Sequence, residues 1–135
     1  MNKKNFITLI IMITFLASGL ISAQNTNHLI TPSEVFNLMK KDPNLILLDV
    51  RTAAEFKSAT GHLKNAILIP VQELENRIDE LKKYQKIEII VYCRTGHRST
   101  NATEILLKHE YNAKNMTGGI TQWNLENLPV FNEVQ

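Results

Sequence analysis

Residues 87–99 read IEIIVYCRTGHRS. Ile87 to Val91 (IEIIV) is a short apolar run with the look of a β-strand, and a helical pattern, Ala102 to Leu107 (ATEILL), opens on Ser99 or Thr100. Strand, short loop and helix in succession are the building unit of an α/β domain. The loop between them, Cys93 to Arg98, holds the only cysteine of the chain, beside two arginines, a histidine and a glycine.

Outward from this unit the same alternation recurs. Leu45 to Val50 (LILLDV) is a nearly continuous apolar run, as expected of a strand buried on both faces of a parallel sheet. Ala66 to Ile69 is a further run, and Ala113 to Met116 a weaker one. Helical patterns lie between them. Thr31-Pro32-Ser33-Glu34 supplies a cap, a proline for the first turn and the acid of a capping box. Val35, Phe36, Leu38 and Met39 follow at helical spacing, and Asp42-Pro43-Asn44 ends the segment. Glu73 to Leu81 places Leu74, Ile78 and Leu81 on one face. Ile120 to Leu128 forms a last short helix, stopped by Pro129. The expectation is an α/β domain with a mostly parallel sheet, without repeats or an internal linker.

The chain has 135 residues, enough for one domain. Residues 1–23 read differently from the rest. Lys3 and Lys4 precede an apolar run, Phe6 to Leu16, then small residues and Ala23. That is the layout of a signal peptide cleaved near Ala23, and the apolar stretch is shorter than the roughly 20 residues of a spanning helix. The expected protein is exported, to the periplasm, with no stable membrane association after cleavage. The formal charge of +2 includes Lys3 and Lys4, so without them the balance is neutral. No overall basic field argues for nucleic acid. Residues 24–28 are a polar lead-in, and the domain is expected over 29–131.

In open α/β sheets ligands bind outside the carboxyl ends of the strands, where Cys93 falls. A helix N-terminus there carries partial positive charge and unpaired N–H groups, which favour a thiolate and an anionic ligand. Arg94 and Arg98 add charge, and Gly96 allows a tight turn. Arg98 is the strongest ligand candidate, because a guanidinium suits an oxyanion. His97 reads as an exposed loop residue, since a thiol of low pKa needs no base, and Ser99 as a helix cap. A single buried cysteine is more often an inert small hydrophobe, and only its neighbours argue otherwise here. One Cys and four His show no metal-ligand spacing, and no glycine-rich nucleotide loop is present, so neither metal nor cofactor is expected.

At these residues the chain resembles a single-domain rhodanese, a thiosulfate sulfurtransferase-like protein. The loop CRTGHR (93–98) with Ser99, Leu48-Asp49-Val50-Arg51, Glu55-Phe56, Gly61-His62-Leu63, Ile69-Pro70, Gly118-Gly119 with Trp123, and Leu128-Pro129-Val130 follow the family's motifs in order. Lys64-Asn65 replaces the family's frequent Pro-Gly, and Asn also tolerates a left-handed backbone. The resemblance implies a five-stranded sheet with helices on both faces. It implies that Cys93 takes a sulfane sulfur from a donor such as thiosulfate or polysulfide and passes it, as a persulfide, to a thiol or cyanide. Arg94, Thr95, Gly96, His97, Arg98 and Ser99 would bind the donor and stabilise the persulfide, and Asp49 and Arg51 would brace the loop. A protein sulfur acceptor fits the same scheme. A second reading is a persulfide carrier or binding module that acts with a protein partner. Phosphatase chemistry on a related fold uses five residues between Cys and Arg; here there are four, a cradle sized for sulfur.

Overall fold

A computed structural model describes residues 27–132, so the predicted signal peptide and most of the lead-in lie outside the described residues. Its elements are β1 (Leu29–Ile30), α1 (Pro32–Lys41), β2 (Ile46–Asp49), α2 (Ala53–Phe56), β3 (Ile67–Leu68), α3 (Val71–Leu74), a 3₁₀ segment (Glu75–Tyr84), β4 (Ile89–Tyr92), α4 (His97–Lys108), β5 (Ala113–Met116) and α5 (Gly119–Leu125). The five strands form one sheet in the order β1-β5-β4-β2-β3, and every neighbouring pair is parallel. The expected α/β class and strand positions hold.

The apolar runs become central strands because alternate side chains feed two cores. On one face Leu48, Val50, Ile89, Val91 and Cys93 pack with Leu74, Leu81, Ala102 and Leu106, which come from α3, the 3₁₀ segment and α4. On the other face Leu47, Ile90, Tyr92 and Met116 pack with Val35, Ile120 and Trp123 from α1 and α5. Helix α1 starts as its sequence dictates. Thr31 accepts from the Glu34 amide, and the Glu34 carboxylate accepts from the Thr31 amide.

Three local features differ from the sequence reading. The segment after Leu74 winds as a 3₁₀ helix, in which residues three apart share a face. Ile78, Leu81 and Tyr84 have that spacing, and all three pack on the same core. Strand β1, two residues long, was no part of the expected runs. Helix α4 begins at His97, two residues ahead of Ser99, and its cap is Gly96 in a left-handed conformation (φ 103°). Asn65 has φ 59°, the left-handed turn that its side chain tolerates.

Candidate active site

Cys93 directly follows β4, in the loop that leads into α4. Its side chain is buried, but its sulfur is not idle. The Gly96 amide donates to Sγ at 3.1 Å, and Ser99 Oγ donates to it at 3.3 Å. Burial pushes the thiol up, yet hydrogen bonds from the Ser99 hydroxyl and from the amides of Ser99, Gly96 and Thr95 outweigh it, so the Cys93 pKa lies below its ordinary value. Donors converging on a sulfur from the first turn of a helix are what a bound anion requires.

The loop is backed by the start of α5. The amides of Ile120 and Thr121 donate to the carbonyls of Cys93 and Arg94, at 2.9 and 3.0 Å. This approach is close enough that a Cβ at Gly119 (φ 58°) would overlap the Cys93 and Arg94 backbone. The pair Gly118-Gly119 therefore lets α5 dock against the reactive loop.

The charged residues divide into paired and free. Arg98 forms a two-pronged ion pair with Glu55, with Nη2 to Oε1 at 2.6 Å and Nη1 to Oε2 at 2.8 Å. The Arg98 guanidinium, with help from the Thr52 cap, holds the Glu55 carboxyl down at about 2 despite partial burial. Glu55 stands on α2, where Thr52 and Glu55 form a reciprocal capping box. One carboxylate thus closes a four-residue helix and clamps the loop arginine. Arg94, Thr95 and His97 are exposed. Among the described residues the Arg94 guanidinium has no ion pair or hydrogen bond.

Asp49 and Arg51 form a fully buried pair, with Nη2 to Oδ2 at 2.7 Å. Arg51 also donates to the Gly61 carbonyl at 2.8 Å and to Thr60 Oγ1 at 3.1 Å. Burial opposes the Arg51 charge, but Asp49 more than compensates and raises its pKa.

The sequence pattern of the rhodanese-like domain matches residues 31–126. The chain belongs to the rhodanese-like family. A protein of Allochromatium vinosum named "Sulfurtransferase" is 33% identical over 88 residues, covering 64% of this chain and 78% of the relative. A rhodanese-related protein of Thermoplasma volcanium, known from a crystal structure, superposes with a TM-score of 0.68 at 30% identity, covering 76% of this chain and 95% of the other. A "tRNA uridine(34) hydroxylase" of Buchnera aphidicola is 34% identical over 103 residues, 70% of this chain, and this chain spans 32% of it. The rhodanese-like domain and its sulfurtransferase relatives support sulfur transfer as the general chemistry, with a small sulfur donor and an acceptor as substrates.

Within this rhodanese-like domain the predicted residues do not all take the expected places. Cys93, Gly96 and Ser99 come together at the sulfur. Ser99 lies inside the first turn and aims its hydroxyl at Sγ; the capping position belongs to Gly96. Arg98, the strongest oxyanion-ligand candidate in the sequence, has both ends of its guanidinium on the Glu55 carboxylate. The side chains of Asp49 and Arg51 bond to each other and to residues 60–61, and the Arg51 guanidinium lies over the ring of Tyr92, 5.7 Å from its centroid, directly before Cys93. Glu55 entered the sequence reading only as a motif match. Its signal was the Thr52-x-x-Glu55 spacing directly after Arg51, which marks a capped helix start facing the loop.

Proposed function

We propose that this protein is a thiosulfate sulfurtransferase that works through a persulfide on Cys93. The observation that carries the reading is the convergence of the Gly96 amide and the Ser99 hydroxyl on a buried sulfur whose pKa is lowered. The Cys93 thiolate attacks the outer sulfur of thiosulfate. The S–S bond of the donor breaks, and sulfite leaves with the bonding electron pair. Cys93 now carries a persulfide whose terminal sulfur is anionic. The amides that held the thiolate lie at the helix N-terminus, where they suit this anion equally. A thiolate or cyanide then attacks the terminal sulfur, and the Cys93 thiolate is regenerated as leaving group.

Arg94 is the residue we assign to the donor's sulfonate oxygens. It is exposed and has no ion-pair partner among the described residues, whereas the Arg98 guanidinium is committed to Glu55. Arg98 is then a shaper of the loop and a source of general positive potential near Cys93. Residues 1–23 support export before the domain works, so the compartment we propose is the periplasm.

Steady-state kinetics with thiosulfate and cyanide, read as thiocyanate, test the reading. The wild type should turn over, and Arg94→Ala should raise the KM for thiosulfate by about two- to fivefold with kcat little changed, the effect of one solvent-exposed charge contact used for binding. No thiocyanate from wild-type protein with a free thiol would overturn the donor. An unchanged KM in Arg94→Ala would overturn the role of Arg94.

A further inference from the structure

Asn115 lies on β5, which neither the sequence motifs nor the sulfur chemistry assigns to the site. In the sheet it stands beside Val91 of β4, two residues before Cys93. Ala113, which precedes it by two, belongs to the apolar core beneath α4. Asn115 therefore occupies a place where that core could simply continue, and it is only 5% exposed.

Its amide nitrogen donates to Thr100 Oγ1 at 2.9 Å and to the Gly96 carbonyl at 3.3 Å. The same carbonyl accepts from Thr100 Oγ1 at 2.8 Å and from the Thr100 amide at 3.2 Å. Three donors thus converge on the carbonyl of Gly96, whose own amide donates to Cys93 Sγ at 3.1 Å. Gly96 is the left-handed cap of α4, without a side chain to hold it. A glycine in such a turn is conformationally loose unless its peptide groups are tied from outside.

The other end of the Asn115 side chain sharpens the point. Its Oδ1 is buried and has no hydrogen-bond partner. An orphaned buried carbonyl is costly, and an apolar side chain would avoid that cost. The arrangement makes sense when the donated bonds serve something other than stability.

We propose that Asn115 is a positioning residue for the reactive sulfur: by holding the Gly96 carbonyl, on the peptide that leads to His97, it restricts rotation at Gly96, whose N–H on the preceding peptide then stays facing Cys93 Sγ. The inference deepens the sulfurtransferase reading and rests on it for its purpose, but its geometry concerns the resting thiolate alone. The charged groups around the loop are the Arg98–Glu55 pair, the buried Asp49–Arg51 pair, and exposed Arg94 and His97. None is touched by changes at Asn115.

The test is the pH profile of Cys93 alkylation by iodoacetamide, in full-length Asn115→Leu and Thr100→Val, with thermal unfolding alongside. No sulfur donor is involved, so the result reads the clamp whether or not thiosulfate is the substrate. Asn115→Leu keeps the branched shape and the number of heavy atoms and removes both the orphan carbonyl and the donor. Its expected behaviour is a midpoint of alkylation moved to higher pH, a rate below the midpoint lowered about three- to tenfold as one charge-assisted hydrogen bond weakens, and a Tm equal to or above the wild type. Thr100→Val should move the midpoint in the same direction by less. A folded Asn115→Leu with the wild-type midpoint overturns the proposal. If Asn115→Leu does not fold, Thr100→Val decides: a shifted midpoint supports the clamp, and an unshifted one overturns it.

Discussion

At Cys93 two opposing effects meet, and hydrogen bonding wins. Burial alone raises a thiol pKa, as it does for any group that charges on losing a proton. The Ser99 hydroxyl and the amides of Ser99, Gly96 and Thr95 reverse it. Because the folded pKa lies below the ordinary thiol value, the thiolate and its reactivity persist to lower pH than in an unstructured peptide and fade as pH falls through the folded value. Ser99→Ala removes the donor at 3.3 Å. It should move the alkylation midpoint upward and leave the fold intact, which mass-resolved alkylation across pH checks. The cysteine, its glycine and its serine were legible in the sequence because their spacing is local. The state of Arg98 was not, since its partner Glu55 lies 43 residues away. Asn115 escaped notice for the same reason: its contacts to Gly96 and Thr100 cross 19 and 15 residues.

Helix α2 shows how a small element carries a charge relation of the site. Four residues are too few to hold a helix by themselves. The capping box of Thr52 and Glu55 closes its first turn, and Arg98 anchors the same carboxylate from α4. The sign of the pH effect follows from the depressed Glu55 value of about 2 against an ordinary value of 4.5. The stabilisation is complete above the ordinary value and is lost as pH falls through about 2. Glu55→Gln should lower stability at neutral pH and flatten the loss between these values, as read from urea midpoints measured at pH 6 and below. A wild-type acid profile in Glu55→Gln would mean that the pair contributes nothing. At this scale the sequence was readable where a side chain caps its own helix, as at Thr31, and misread where a cap has no side chain, as at Gly96. The 3₁₀ winding was hidden because Leu74, Ile78 and Leu81 fit an α-helix, and only Tyr84 extends the three-residue period.

Across the whole molecule the sheet order joins what the sequence separates. β4 is flanked by β2 and β5, so the carboxyl ends of these three strands put Asp49, Cys93 and Asn115 in one region of the sheet. The apolar runs made the α/β class legible, because strands buried on both faces have little freedom in composition. The order in which they pair leaves no local mark. Trp123 fastens α5 to the face opposite α4: it is fully buried, meets Phe36 edge-on at 6.0 Å between ring centroids, and donates from Nε1 to the Pro129 carbonyl at 3.0 Å. Trp123→Ala should cost about 3–5 kcal/mol, measured by urea unfolding, and should loosen the reactive loop that α5 backs. The central claim is that Cys93 becomes a persulfide. Intact-mass analysis of the protein after thiosulfate, and again after cyanide, tests it most directly. One added sulfur that cyanide removes, and that Cys93→Ser never gains, is the predicted result. A wild-type protein with a free thiol that gains no sulfur from thiosulfate, or a Cys93→Ser variant that still does, would contradict it.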